Sequence, residues 1–157
     1  MYKKIFVLLA LAVVLMLALT ACGGASPVTA NDLPVYPGAT ALQPGDSKLA
    51  DTLSKNSQQI TALTQSAGVN GKTEQKGFSL PKDATWDAVK KFYDDKLTAG
   101  GWGVPGGVAS NVLAQVNTMN DSFQTATYTR GNQTLALVRL VDPISKDATL
   151  IFSLSTR

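Results

Sequence analysis

The chain begins with a strongly apolar stretch. Lys3 and Lys4 precede an uninterrupted apolar run over residues 5–19. A short cationic segment followed by an apolar core of this length is typical of a secretory signal. A transmembrane helix usually needs about 20 apolar residues to cross the hydrocarbon of a bilayer, and this run is shorter. The pattern therefore predicts a signal peptide at the start of the chain.

Residues 46–67 space their apolar positions as a helix does: Leu49, Leu53, Ile60 and Leu63. This narrow stripe predicts a helix on the surface or in a mobile insert, capped by Asp46 or Ser47 and ending at Gly68. We expect the stripe to face the core and not a membrane, because only two lysines line this stretch. Most of its other residues are Ser, Thr, Gln and Asn, which form helices less readily than Ala or Glu. The alternative is a partly ordered loop, and in either case the segment belongs to an insert over residues 43–72.

The clearest helical pattern is the stretch TWDAVKKFYDDKLTAGGW, which begins at Thr85. Its apolar side consists of Trp86, Val89, Phe92, Tyr93 and Leu97. Thr85 or Asp83 can cap the start of the helix by accepting free backbone N–H groups. Gly100 and Gly101 end it, because one of them can adopt the left-handed conformation that terminates a helix.

The remaining apolar positions alternate or cluster as in β-strands. Residues 72–80 form the first such stretch, and residues 148–157 form the last, with Leu150, Phe152 and Leu154 on one face. Two more strands flank Gly131-Asn132, which is the sequence typical of a tight hairpin turn. Residues 135–141 are apolar at both odd and even positions, which predicts a central strand that is covered, or nearly covered, on both faces.

The segment before these elements is poor in apolar residues. Residues 22–32 are small, polar and proline-containing, which predicts a flexible tether. Residues 33–40 contain Pro34 and Pro37 and therefore allow only a short edge strand, or an extended segment that ends in a turn at Pro37-Gly38.

The order of the elements predicts the fold class. A short strand, a helix or insert, a strand and a helix are followed by three consecutive strands. This order is typical of an α+β fold in which an antiparallel sheet packs against one main helix, with an additional helix or insert. The length and the absence of repeats favour a single domain over residues 33–157.

The only cysteine, Cys22, follows the apolar run within the sequence Leu19-Thr20-Ala21-Cys22. All four positions resemble the lipobox of bacterial lipoproteins. The resemblance implies cleavage of residues 1–21 and attachment of diacylglyceryl and palmitate-type lipid to Cys22. It implies a chain anchored to the cell membrane on its extracytoplasmic face, or to the outer membrane if the organism has two membranes. The alternative is an ordinary secreted protein that is cleaved elsewhere.

Composition excludes much chemistry. The sequence has no histidine and no second cysteine, so the commonest acid–base group is missing and no disulfide can form within the chain. Without residues 1–21 the net charge falls from +3 to +1, and no basic stripe supports nucleic-acid binding. We expect no enzymatic activity, no catalytic residue, no cofactor and no metal site.

Two short motifs resemble catalytic or phosphate-binding sequences without their context. Ser79 and Lys82 have the spacing of the S-x-x-K motif, but Pro81 lies between them at the end of a predicted strand. The stretch SAGVNGKT resembles a P-loop, but Ser66 stands where the first glycine belongs, and a strand is predicted after it instead of a helix. We interpret both as structural segments.

The charged residues of the second helix are expected to be solvated. Asp87 lies four residues before Lys91 and is placed to pair with it. Asp94 and Asp95 are adjacent, so they point in different directions and cannot act as a catalytic pair. Glu74, the only glutamate, lies in a predicted strand.

Five aromatic residues could form either a core or a ligand pocket: Tyr36, Trp86, Phe92, Tyr93 and Trp102. Trp102 is expected to fold back beneath the end of the second helix. The pocket interpretation would suit a sugar, a lipid or a piece of peptidoglycan. The core interpretation is favoured, because an amphipathic helix must bury its apolar side.

The segments PVYPGAT and FYDDKLTAGGW are similar to a pattern in a family of uncharacterised extracytoplasmic lipoprotein domains, for which no activity is implied. The expected function is a non-enzymatic binding or accessory domain at the cell envelope, whose partner is an envelope protein or glycan. The alternative is a carrier that holds a hydrophobic ligand between helix and sheet.

Overall fold

The computed structural model describes residues 26–66, 71–107, 115 and 117–157. Its strands are β1 (Thr40–Ala41), β2 (Lys72–Ser79), β3 (Phe123–Arg130), β4 (Gln133–Val141) and β5 (Ala148–Thr156). Helices α1 (Lys48–Ser66) and α2 (Trp86–Ala99) lie between the early strands. The five strands form an antiparallel sheet in the order β1-β2-β5-β4-β3. The predicted α+β class and antiparallel sheet are confirmed.

The hairpin predicted around Gly131-Asn132 is present between β3 and β4. Arg130 pairs with Gln133 across a two-residue turn, and the register continues to Phe123 opposite Leu140. Gly131 has a φ of +56°, a left-handed conformation that glycine adopts without a steric penalty. The local turn sequence therefore sets the register of this pair of strands.

Strand β5 lies at the centre of the sheet, between β2 and β4. β2 pairs with β5 along its whole length, from Lys72 opposite Thr156 to Ser79 opposite Thr149. The strand predicted to be central, β4, is interior but one position away from the centre. On one face of β4, Leu135 and Leu137 are fully buried. On the other face Leu140 is 6% exposed, whereas Thr134, Ala136 and Val138 are half-buried. The predicted cover is therefore only partial on the second face.

One face of the sheet, named here the core face, carries most of the large apolar side chains. The register places Phe78, Tyr128, Leu135, Leu137, Leu150, Phe152 and Leu154 on this face, and all are buried. The predicted alternation of Leu150, Phe152 and Leu154 is thus confirmed. The opposite face is richer in Thr and Ser, and most of its side chains are half-buried.

Helix α2 begins and ends as its sequence predicts. The Thr85 hydroxyl accepts a hydrogen bond from the Ala88 N–H at 3.3 Å, so Thr85 is the cap and Asp83 is not. Gly101, with a φ of +81°, is the left-handed residue after the helix. Trp86, Val89, Tyr93 and Leu97 are buried in the same apolar cluster as the core face of the sheet.

Helix α1 is also present, which confirms the helical alternative for this insert. The Ser47 hydroxyl accepts from the Ala50 N–H at 3.3 Å and caps its start. Leu49, the first residue of the predicted apolar stripe, is 40% exposed, while Leu53 is half-buried. The expectation that the stripe faces the core is therefore wrong at Leu49. The predicted stop at Gly68 lies outside the described residues.

The segment before α1 turns where its prolines predict. The Ala39 N–H donates to the Tyr36 carbonyl at 3.0 Å and closes a turn over Pro37-Gly38. The extended-segment alternative is therefore the one observed. The edge strand β1 begins only after this turn and contains two residues.

Candidate functional site

The predicted lipidation site, Cys22, lies outside the described residues. The described chain begins four residues later, at Ser26, and runs along one end of the sheet. This end, named here the Gly131 end, contains the start of β2, the end of β5 and the β3–β4 turn. The contacts of residues 26–33 show how the domain is connected to the position of the expected anchor.

Gln133, the first residue of β4, holds this segment by its backbone. Its side-chain oxygen accepts from the Val28 N–H at 2.9 Å, and its side-chain nitrogen donates to the Val28 carbonyl at 2.7 Å. The same nitrogen donates to the Thr156 hydroxyl at 3.0 Å. Gln133 is only 2% exposed, so the amide is a buried polar group with its hydrogen bonds satisfied.

Glu74 makes a second contact with the segment. Its carboxylate accepts from the Ala30 N–H at 2.8 Å and pairs with Lys72 at 2.6 Å. The hydrogen bond from Lys72, followed by that from Ala30, lowers the pKa of Glu74 below its usual value. The only glutamate in the chain therefore has a structural position, with its charge compensated by neighbours.

A turn and two buried side chains complete the docking. Asp32 accepts hydrogen bonds from both the N–H and the hydroxyl of Thr29, and these lower the pKa of Asp32. Ala30 and Leu33 are 6% and 5% exposed. The flexible tether predicted over residues 22–32 therefore differs from the structure from residue 28 onward. The side chains of the segment do not reveal this docking in the sequence, because its backbone groups make the hydrogen bonds to Gln133 and Glu74.

The five aromatic residues singled out in the sequence lie in or against the core. Trp86, Tyr93 and Trp102 are buried, and Phe92 and Tyr36 are partly buried against the same cluster. The expected position of Trp102 at the end of α2 is confirmed. Its backbone N–H donates to the Leu97 carbonyl at 2.9 Å, and its side chain is buried.

The rings form a connected series that leads from the N-terminal segment to the sheet. Tyr36 contacts Phe92 edge-on at 5.4 Å between ring centroids, Phe92 contacts Tyr93 at 5.0 Å, and Tyr93 contacts Phe152 at 5.5 Å. The Tyr93 hydroxyl oxygen accepts a hydrogen bond from the Tyr36 N–H at 3.1 Å. Burial raises the pKa of this hydroxyl. The packed rings favour the core interpretation over the pocket.

Asp94 differs from the solvated residue that the sequence predicts. Its carboxylate accepts from the buried Tyr128 hydroxyl at 2.8 Å and from Lys90 at 2.6 Å. Desolvation, followed by the hydrogen bond to Asp94, raises the pKa of Tyr128, so this hydroxyl stays protonated.

Asp95 is solvated as expected, but it pairs with Lys91 at 2.8 Å, and the predicted pairing of Lys91 with Asp87 is wrong. Lys91 pairs with Asp95, one helical turn after it, and not with Asp87, one turn before it.

Arg139 is a charged side chain that sequence reasoning passed over. It interrupts the apolar strand β4 on the core face and donates to Gln124 at 2.7 Å and to the Ala84 carbonyl at 3.3 Å. Its Nε atom is buried without a hydrogen-bond partner. Burial lowers the pKa of the guanidinium, while the charge of Asp121 opposes this effect. The signal in the sequence was a single arginine within an otherwise apolar run.

An open cleft of about 380 Å³ adjoins Arg139 at the start of α2. Asp87 and Asp121 also line it, so the cleft does not present a net positive charge to an anion. The guanidinium already donates to protein oxygens, which leaves a structural role: Arg139 ties the end of β4 to the loop before α2.

Two further clefts lie on the described surface. One, of about 340 Å³, runs between α1 and β2 and is lined by residues that include Leu42, Ser54 and Ile151. The other, of about 380 Å³, lies at the Gly131 end beside Lys96 and Arg130. Asp51 and Lys76 also line the first cleft, but Asp51 accepts a hydrogen bond from the Gly45 N–H and the Ser54 hydroxyl accepts one from Gln58.

The structure places the remaining motif residues apart from any catalytic context. Ser79 is the last residue of β2 and Lys82 lies in the turn after it, so the S-x-x-K spacing does not occupy a helical turn. Lys72, in the segment that resembles a P-loop, lies in β2 and pairs with Glu74. Residues 67–70 of that segment lie outside the described residues.

Within the described part of the chain, no group of three or more potential metal ligands is found. Over the same residues, no helix is long and apolar enough to cross a bilayer. No family model, no curated protein and no solved structure matches this chain.

Proposed function

We propose that this chain is a lipid-anchored extracytoplasmic protein whose domain acts as a non-enzymatic binding or accessory module at the cell envelope. The observation that carries the proposal is the sequence Leu19-Thr20-Ala21-Cys22 after a cationic and apolar leader. Two acyl chains on Cys22 would hold the domain stably, since each buried methylene contributes about 0.8 kcal/mol.

The finer architecture belongs to the same proposal. We infer that α2 is the main helix against the sheet and that α1 is an accessory helix. The ring contact between Tyr93 and Phe152 and the hydrogen bond from Tyr128 to Asp94 support this assignment of α2. The exposure of Leu49 supports an accessory position for α1.

The absence of catalytic function is proposed from what the polar residues do. Glu74, Asp94 and Arg139, three ionisable groups that are not fully exposed, each make structural hydrogen bonds. A carrier of a hydrophobic ligand would need space beneath Val89, Phe92 and Tyr93. Val89 and Tyr93 are 0% and 1% exposed and pack in the core cluster, which counts against that alternative.

The test is the intact mass of the full chain, purified from membranes of its native host, beside a Cys22→Ala variant. The expected mass is that of residues 22–157 plus lipid, and the variant should lack the lipid and leave the membrane fraction. An unmodified wild-type chain recovered from the medium would refute the proposal.

A further inference from the structure

We infer that the Gly131 end of the sheet faces the membrane and contacts the headgroups of anionic phospholipids. This inference rests on the proposed lipid anchor at Cys22. It is carried by two independent features of the molecule: the short span between the anchor and the docked segment, and the distribution of charge between the two ends of the sheet.

The span follows from the docked N-terminal segment. Arg130 donates to the Ser26 carbonyl at 3.3 Å, and Gln133 holds both backbone groups of Val28. Only four residue steps separate Cys22 from Ser26. A fully extended chain covers at most about 3.6 Å per residue, so the anchor lies within about 14 Å of Ser26. A lipidated Cys22 therefore keeps the Gly131 end next to the bilayer surface.

The charges at this end are predominantly positive. Lys72, Lys96, Arg130 and Arg157 lie here, against the acidic Asp32 and Glu74. Both carboxylates are occupied by hydrogen bonds, and Glu74 also neutralises Lys72. The exposed residues Lys96 and Arg157 are the side chains that remain available for a partner.

The opposite end of the sheet has the reverse balance. This end, named here the Asp142 end, contains the turn over residues 142–147 and the loops around the starts of α2 and β3. Its acidic residues are Asp83, Asp87, Asp121, Asp142 and Asp147, against Lys82, Arg139 and Lys146. The domain is therefore polarised along its strands, although its overall charge is close to zero.

This polarity matches the geometry of the anchor. An anionic bilayer attracts Lys and Arg that lie within about a Debye length, roughly 8 Å at physiological ionic strength. The span of at most about 14 Å lets the positive end approach the bilayer to within that range, whereas the negative end lies about 30 Å further away along nine residues of β5. Acyl chains combined with a basic surface form the two-signal membrane attachment seen in other peripheral proteins.

The experiment uses the full lipidated chain inserted from detergent into preformed vesicles. One set of vesicles is phosphatidylcholine, and the other contains equal parts of phosphatidylcholine and phosphatidylglycerol, with a nitroxide quencher on a fraction of the headgroups. A fluorophore is attached at Thr129→Cys, which is exposed at the Gly131 end, or at Ile144→Cys, which is 91% exposed in the turn of the Asp142 end. The lipid on Cys22 blocks its sulfur, so each variant has one reactive thiol.

The Thr129→Cys probe should be quenched more strongly than the Ile144→Cys probe, and the difference should be larger in the anionic vesicles. Adding Lys96→Gln and Arg157→Gln should reduce this gain to the level found in phosphatidylcholine. The matched control, Lys82→Gln with Lys146→Gln, removes the same charge at the Asp142 end and should leave the gain unchanged.

Equal quenching at both ends, or a gain that survives the Lys96 and Arg157 substitutions, would overturn the inference and leave the positive end for an acidic partner in the envelope. Intact mass is measured on every sample. A chain without lipid overturns the proposed anchor itself, whereas a lipidated chain with equally quenched ends overturns only the orientation.

Discussion

Replacing Gln133 by alanine should release the N-terminal segment from the sheet. The substitution removes three hydrogen bonds, two to Val28 and one to Thr156. A typical hydrogen bond contributes about 1 kcal/mol net, so the three together are worth about 3 kcal/mol. If the segment stayed in place, the N–H and carbonyl of Val28 would lose their partners, at about 1–3 kcal/mol each.

Detachment offers a less costly response to the substitution. It exposes Leu33 and Ala30, of which the leucine accounts for about 2 kcal/mol of burial. The chain entropy that the released residues regain offsets this loss. We therefore expect residues 26–33 to detach while the sheet stays folded, with the free energy of unfolding lowered by at most the value of the three hydrogen bonds, about 3 kcal/mol.

Amide hydrogen exchange at Val28 and Ala30 measures the detachment, and urea unfolding followed by tryptophan fluorescence measures the stability. Gln124→Ala is the matched control, because Gln124 is a similarly buried glutamine at the opposite end of the sheet. It should lower stability through its lost contact with Arg139 but leave Val28 protected. Wild-type protection of Val28 in Gln133→Ala would refute the reasoning.

Three further predictions concern the sheet, the helix and the docked segment. Tyr128→Phe removes the hydrogen bond to Asp94 and should lower the free energy of unfolding, measured by urea titration, by about 1.5–3 kcal/mol. The control Asp95→Asn affects only an exposed ion pair and should change the free energy of unfolding by less than about 1 kcal/mol. Phe152→Ala should cost about 3–5 kcal/mol in the same titrations, because Phe152 is fully buried and contacts two rings, and a wild-type midpoint would contradict this. Acidification should detach the segment: the folded-state pKa values of Asp32 and Glu74 are lowered, so their contributions are present above the ordinary values of 3.8 and 4.5 and are lost as the pH falls through the lower folded-state values. The amide hydrogen exchange rate of Ala30, corrected for its intrinsic pH dependence, should rise as the pH falls below the ordinary carboxyl pKa values. Glu74→Gln should weaken this rise.

The features that sequence predicts well are those that depend on neighbouring residues. The cap at Thr85, the left-handed Gly101 and the turn at Gly131-Asn132 each follow from the conformational preferences of one or two residues. The same applies to the start of α1 at Ser47. Each contact lies within about four residues, so the sequence contains both partners side by side.

Pairings between distant residues are not predictable in this way. Lys72 pairs with Thr156 across more than half of the chain, and alternation along β2 does not identify β5 as its partner. The side chain of Asp94 shows the same limit. Its position on the helix predicts solvent exposure, but Tyr128, 34 residues later, supplies a buried donor. Only the tertiary arrangement decides which of two adjacent aspartates becomes structural.

The docked N-terminal segment has the largest consequence for function. A flexible tether over residues 22–32 could extend about 35 Å, which would let the domain bind a partner in almost any orientation. Gln133 and Glu74, which are 105 and 44 residues away from their partners Val28 and Ala30, shorten the free span to the steps before Val28. Arg130, which donates to the Ser26 carbonyl, shortens it further. If the anchor is at Cys22, the Gly131 end is then occupied by the membrane. A partner in the envelope must approach the acidic Asp142 end or the outer faces of the domain. The search for a binding surface should therefore begin with substitutions at residues 142–147. If these substitutions abolish binding of the partner while Gln133→Ala still binds it, the partner surface is distinct from the docked segment that leads to the anchor.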